Sequence, residues 1–277
     1  MARETPRKAS WSVTLTALVL AGSRPGVPDP VALAEGVSHK ALAQLGGEAM
    51  LARVVAAIRD AAIGTCVVAT SDPEVAALAT RLGCDVLAAA EGPSASVAAA
   101  FSRYGAPMLV TTADHALLQG RWVGDFITDT PPGTDVAVLL ADKAAIERAM
   151  PGSRRTYMRF ADGEWSGCNL FLLATTQALP AIQTWSAVEA DRKRPWRIAF
   201  RLGMGTLIAY ACGRLTLNDA LGRLGRRVGL KAVAVAARDG LAAVDVDKVA
   251  DLADARRIIS DRARAGSTYT SSGCGST

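Results

Sequence analysis

Leu18-Val19-Leu20-Ala21-Gly22-Ser23-Arg24 closes an apolar run that begins at Val13, and His39-Lys40-Ala41-Leu42 follows it along the chain. The run is short, partly β-branched and stopped by glycine, which marks a buried strand rather than a helix. A strand ending in Ala-Gly-Ser-Arg presents backbone N–H groups in a turn where no bulky side chain blocks approach. Ala21, Gly22 and Ser23 therefore offer donors to an anion. Arg24 adds a planar cationic fork, and Lys40, which opens a helix, adds a point charge that reaches the same oxygens. That arrangement suits a triphosphate. It is not a Walker loop, because no Gly-Lys-Ser/Thr ends it, and the Gly-x-Gly-x-x-Gly spacing of a dinucleotide site is absent. The plain alternative is an ordinary glycine turn, common after strands in any α/β protein.

Outward from this turn the chain alternates. A helix is expected from Glu48 to Ala62, with Met50, Leu51, Val54, Val55 and Ile58 on one face. Thr65–Thr70 reads as a strand, Ser71-Asp72-Pro73 as a helix start, and Gly83 as the cap that ends that helix. A short strand at Cys84–Leu87, a helix at Ser94–Tyr104 and a buried strand at Pro107–Thr112 follow. Such alternation implies a parallel sheet with helices on both faces. The second half is less regular, with strands expected at 135–140, 169–173, 231–235 and 242–246. Residues 175–227 read as mainly helical, and a last helix spans 248–264. The expected architecture is one α/β domain, three-layer α/β/α with a mostly parallel mixed sheet, over residues 13–264. Residues 1–12 form a flexible lead and residues 265–277, rich in Ser, Gly and Thr, a disordered tail.

Composition agrees. Only 5% of residues are aromatic while half are apolar, so the core is built from Ala, Val and Leu. The net charge of +5 suits an anionic ligand but is too diffuse to argue for nucleic acid. Five scattered cysteines form no Cys-x-x-Cys pair, which fits free thiols in a reducing cytoplasm. The apolar run after the basic start contains Thr14 and Thr16 and leads into the turn, so it is read as a strand and not a signal peptide.

Four further segments carry chemistry. Asp114 follows the strand Leu109-Val-Thr-Thr, at the sheet edge where open α/β sheets bind ligands. A carboxylate facing phosphates needs a cation between them, usually Mg²⁺; a helix cap is the plain alternative. Asp245 and Asp247 lie in Val244-Asp-Val-Asp247, before the last helix, with the same two readings. Gly92-Pro93-Ser94-Ala95-Ser96 opens a helix whose free N–H groups, with the Ser96 hydroxyl, suit a base edge or an anion; a serine cap is the plain alternative. Arg194, Arg197 and Arg201 share one helix face by their spacing. They suit a phosphorylated acceptor or an acidic membrane surface; a solvated basic face is the alternative. Asn169, in the turn Ser166-Gly-Cys-Asn169, either contacts the acceptor or satisfies its own turn. His39 and His115 have no Ser or Cys partner that would make them nucleophilic dyads.

Leu18-Val-Leu-Ala-Gly22, His39-Lys-Ala-Leu42 and Leu45-Gly-Gly-Glu-Ala-Met-Leu51 together resemble the opening of the nucleotidyltransferases related to molybdenum-cofactor guanylyltransferase. The family signature is Leu-Ala-Gly-Gly, an arginine, a lysine and then a glycine turn opening a helix. Here Ser23 replaces the second glycine and the loop to Lys40 is longer. The late run Val244-Asp-Val-Asp247-Lys-Val-Ala-Asp251-Leu252 resembles the family's Val-Asp-x-Asp-Thr-Pro-Glu-Asp-Leu. The resemblance implies the nucleotide-diphospho-sugar transferase fold and transfer of a nucleotidyl group from an NTP to a phosphorylated small molecule, with release of pyrophosphate. It implies that Arg24 and Lys40 hold the departing phosphates, and that Asp114 and Asp247 hold Mg²⁺, with Asp245 in reserve. It also implies that Gly92 and Ser96 meet the base and that Asn169 meets the acceptor. No nucleic acid or obligate protein partner follows from it. Two other readings stay open: a metal-dependent glycosyltransferase on the same fold, and a non-enzymatic binder of nucleic acid or membrane surface through residues 192–201.

Overall fold

The computed structural model describes residues 14–23, 26–153, 155–190 and 203–271. Arg24, Arg194, Arg197 and Arg201 lie outside the described residues, as do the N-terminal lead and residues 272–277.

β1 (Thr16–Leu20) is the expected strand, and it is buried on both faces. The loop to Lys40 holds a short helix that the sequence did not announce, α1 (Pro30–Glu35). Asp29 caps it by accepting from Val31 N at 2.9 Å, and Gly36 ends it at φ 64°. Lys40–Leu42 is a single 3₁₀ turn and not the start of a long helix. A hairpin intervenes, β2 (Gln44–Leu45) and β3 (Glu48–Ala49), whose turn residues Gly46 and Gly47 have φ 61° and 86°. Two successive positive φ angles define the tight hairpin turn that glycine best supplies. The long helix then begins as α2 (Met50–Asp60), burying the five apolar residues expected on its inner face.

The alternation holds next: β4 (Thr65–Ala69), α3 (Pro73–Arg81), β5 (Asp85–Leu87), α4 (Pro93–Tyr104), β6 (Met108–Thr112), α5 (Gly120–Asp129), β7 (Val136–Asp142) and α6 (Lys143–Ala149). Asp72 caps α3 by accepting from Glu74 N and Val75 N. Gly83 terminates it at φ 67°.

Past α6 the expectations need correction. Residues 169–173 are only the end of an 11-residue strand, β9 (Gly163–Leu173), which hairpins with an unforeseen β8 (Met158–Phe160). Then come α7 (Leu179–Ala190), α8 (Met204–Ala211), α9 (Leu217–Arg227), β10 (Ala232–Ala236) and α10 (Val249–Ser271). The final helix runs past Arg264 into the segment expected to be a tail. No strand forms at 242–246: Gly240–Ala243 is a 3₁₀ turn, and the extended stretch after it makes one backbone bond to its neighbour, Val246 N to Asp114 O at 3.0 Å.

The main sheet has the order β10-β7-β9-β6-β1-β4-β5, with β8 beside β9. β9 is antiparallel to both β6 and β7, while the β1, β4, β5 and β6 pairings and the β7–β10 pairing are parallel. Side chains alternate across β1. Ala17 and Val19 join a core with α2, α3, α5 and α10, whereas Leu18 joins a second core with α4 and α7. These two cores make the α/β/α layering. Among the described residues no helix is long and apolar enough to cross a membrane.

Candidate functional site

The carboxyl ends of β1 and β6 open on the same edge, since Leu20 and Thr112 are partners in the parallel ladder. Gly22 and Ser23 follow the first strand and Asp114 the second. Gly22 shows no left-handed φ, and a Cβ there would lie 3.7 Å from Ala89, an ordinary contact. The backbone itself does not demand glycine at this turn. His39, 4% exposed, accepts from Ala41 N through Nδ1 at 3.0 Å and lies against the Gly22 backbone. Burial holds it below the usual histidine pKa. Its place is to pin the Lys40 turn beside the Gly22 turn.

Lys40 Nζ has three acceptors: Asp114 Oδ2 at 2.7 Å, Asp247 Oδ1 at 2.8 Å and Val246 O at 3.2 Å. An ammonium has three N–H donors, so this one is saturated. Burial alone would lower the Lys40 pKa, but Asp114 and then Asp247 outweigh it and hold the group above the ordinary lysine value. In this state the lysine faces carboxylates rather than an open phosphate site.

The alternative cap readings fail for both aspartates. Asp114 starts no helix; its Oδ1 accepts from Thr112 Oγ1 at 2.5 Å, and the next helix, α5, is capped at Gln119 without a side-chain bond. At α10 it is Asp251 that caps, accepting from Asp247 N and Lys248 N at 3.1 and 2.9 Å. Asp247 is thereby freed to face Lys40, and its side chain stays 63% exposed. Asp245 is engaged otherwise: Arg155 pairs with Oδ1, and Asn169 Nδ2 donates to Oδ2 at 2.8 Å. Burial raises its pKa, against the pull of Arg155. Of the two candidates, Asp247 shares a cation with Asp114.

Asn169 turns its amide Nδ2 to Asp245, a partner that neither sequence reading foresaw. It sits at φ 48° beside an irregularity in the β7–β9 register, and its amide orients Asp245. Ser96 is also turned inward, 3% exposed, donating to Gly92 O at 3.1 Å and accepting from Ala90 N at 2.9 Å. Its hydroxyl holds the loop before α4. At that helix start Glu189 accepts from Ser94 Oγ at 2.5 Å and Ser94 N at 3.3 Å. A Cβ on Gly92 would stand 2.6 Å from Glu189 Oε1, so this glycine is what admits the carboxylate.

A family described as the MobA-like NTP transferase domain matches residues 17–203, which include the Gly22 turn, Lys40, Asp114 and Asn169. The chain belongs to this family. Among solved structures, a hypothetical transferase from Thermus thermophilus is 28% identical with a TM-score of 0.75, covering 87% of this chain and 100% of its own. A nucleotidyl transferase from Methanothermobacter thermautotrophicus, 18% identical, aligns at TM-score 0.54 over 88% of this chain and 96% of its own. A CMP-2-keto-3-deoxy-manno-octonic acid synthetase in complex with CTP, 17% identical, aligns at 0.54 over 90% and 100%. The last two speak to the fold alone. The comparison with curated proteins returned no match.

For a MobA-like NTP transferase domain, the motifs missed Arg155, the partner of Asp245, and the Tyr157 and Lys143 side chains near that arginine. Arg155 Nε, Tyr157 Oη and Trp165 Nε1 are buried without a hydrogen-bond partner, and Lys143 Nζ lies 5.5 Å from the Tyr157 ring centre. Arg155 and Tyr157 come from the irregular loop before β8, where no spacing marks them.

Proposed function

We propose that the protein transfers a nucleotidyl group from an NTP to a phosphorylated small-molecule acceptor and releases pyrophosphate. One observation carries this reading: Asp114 and Asp247 converge on a single cationic nitrogen, at 2.7 and 2.8 Å, beside the Gly22 turn. Two carboxylates on one point fit Mg²⁺, which is bound by one or two carboxylates and completed by substrate phosphates and water. Among the described residues no three Asp, Glu, His or Cys groups form a cage, so those further oxygens would come from the nucleotide. When bound, Mg²⁺ supplies charge neutralisation at the α-phosphate.

The protein's own groups do the rest. Backbone N–H groups at Gly22 and Ser23, with Arg24, receive the phosphates; the Ala21 N–H, expected among them, is instead donated to Ala69 O at 2.9 Å. Lys40, released from the carboxylates as the nucleotide enters, turns its ammonium to the departing pyrophosphate. Asp245, fixed by Asn169 and Arg155, stays paired while the neighbouring carboxylates exchange partners. Arg194, Arg197 and Arg201 are the cations offered to the acceptor, while Arg155 stays with Asp245 and Lys143 with Glu164, 2.6 Å away. The acceptor phosphate is itself the nucleophile, so alignment and charge suffice and no covalent intermediate is needed.

The test is a pyrophosphate-release screen of the four NTPs against phosphorylated metabolites, with Mg²⁺ and with EDTA. Release with one nucleotide–acceptor pair, abolished by EDTA, is the expected outcome. Release without any acceptor phosphate, or equal turnover in EDTA, would overturn the reading.

A further inference from the structure

β4 and β5 run parallel with Val67 opposite Asp85, Val68 opposite Val86 and Ala69 opposite Leu87. One step back along both strands, the same register sets Cys66 opposite Cys84. Both side chains belong to the same core cluster, so they leave the sheet on the same face. Adjacent strands lie about 4.8 Å apart, within the roughly 4.4–6.8 Å between Cα atoms that a disulfide spans.

Cys84 is held firmly, because it follows Gly83 at the end of α3 and donates its N–H to Ala79 O at 2.9 Å. Arg59 reaches the same corner, donating to Leu82 O, and its guanidinium would lie 3.2 Å from a Cβ on Gly83. The surroundings of the two thiols therefore differ. Contact with Cys66 and the nearby Arg59 hold Cys84 below the ordinary thiol pKa despite burial. Cys66, hydrogen-bonded to Cys84 and buried, is held above it. A cysteine beside a cation, with a second thiol opposite it across the strand register, is the arrangement of a redox-responsive pair.

We infer that Cys66 and Cys84 form a reversible disulfide, a peroxide-responsive staple joining β5 at the sheet edge to β4. The Cys84 thiolate attacks one peroxide oxygen; the O–O bond breaks, the sulfur becomes a sulfenic acid, and the leaving hydroxide takes a proton to become water. Cys66 then attacks the Cys84 sulfur; the S–S bond forms, the S–O bond breaks, and the proton from Cys66 leaves with the second water. Two thiols are oxidised and one peroxide is reduced. The staple lies at the amino ends of the strands, away from Asp114 and Lys40, so its formation leaves nucleotide chemistry untouched.

The experiment treats the full chain with equimolar hydrogen peroxide, followed by intact mass and non-reducing peptide mapping. The expected result is loss of a hydrogen pair, a peptide linking Cys66 to Cys84, and reversal by dithiothreitol. Exposed Cys212 is the internal reference, and Cys212→Ser leaves the link intact. In Cys66→Ser the sulfenic acid has no resolving thiol, so dimedone labelling of Cys84 rises at least tenfold over wild type. The wild-type map stands even where a variant folds poorly. Both thiols surviving at peroxide levels that oxidise Cys212, or a link from either to another cysteine, overturns the inference. Neither readout depends on which nucleotide or acceptor the protein uses.

Discussion

Lys40 shows how much one side chain's partners decide. Its three acceptors make it a counter-cation standing between two carboxylates, so removing it has two opposite effects. Lys40→Ala is expected to weaken NTP binding by about 1.5–3 kcal/mol, the value of a charged hydrogen bond. The same change leaves Asp114 and Asp247 facing each other without a cation, and a divalent ion should then bind without nucleotide. Manganese titration followed by electron paramagnetic resonance separates the cases. The variant is expected to take up Mn²⁺ alone, whereas wild type takes it up only with NTP. Identical uptake by both would mean that Lys40 does not hold the place of the metal. Asp114→Asn keeps shape and the bond from Thr112 but loses charge. Turnover should collapse while the melting temperature shifts little, and retained turnover would return Asp114 to a structural role.

At the scale of elements, what carries Asp245 and Asp247 is the 3₁₀ turn Gly240–Ala243, seated directly on α6. A Cβ on Gly240 would lie 2.2 Å from Ala145 O, closer than any real contact, and that neighbour is backbone. Gly240→Ala should cost about 1–3 kcal/mol in overpacking and lower turnover, because the turn must lift and take both aspartates with it. Denaturant titration beside activity per folded molecule checks this; a full loss of stability with normal specific activity would uncouple the two. The strand–helix alternation from β1 to β6 was readable because each element declares itself locally, through buried runs such as Leu18–Leu20, the Asp72 cap and Gly83. Two-residue strands around Gly46-Gly47, the short α1 and the exposed β8 carry too few residues to set a period. The apolar stretch at 242–246 misled for a physical reason. It is buried against α6 and the Asp114 turn, not paired in the sheet, and burial leaves the same composition as a strand.

Across the whole molecule, the part of the candidate site legible in the sequence is the part that ends an element: the Gly22 turn, Asp114 and Asp247. Arg155 and Glu189 were not legible, because their partners Asp245 and Ser94 lie 90 and 95 positions away and nothing local signals them. The interior also sets a pH limit. His115 is 1% exposed and burial pushes its pKa down to about 4, against about 6.5 in an unfolded chain. The unfolded state thus takes the proton first, so stability is complete above pH 6.5 and falls as pH drops toward 4. The loss approaches about 3 kcal/mol below that. Urea titrations of metal-free protein at pH 7, 5.5 and 4.5 should show the decline, and His115→Gln should flatten it; an unchanged slope in the variant would assign the decline to other groups.

The pairing of Lys40 with Asp247 spans 207 positions of sequence. A ribosome must therefore have synthesised the chain past Asp247 before the lysine meets its second carboxylate. Contacts of such separation form late, since loop closure precedes their reward. Regain of turnover during refolding should accordingly trail the return of helical circular dichroism, making catalytic competence a readout of the last step of assembly. Fragments ending before Asp247 would keep the Gly22 turn and Asp114 yet lack the carboxylate that completes the pair.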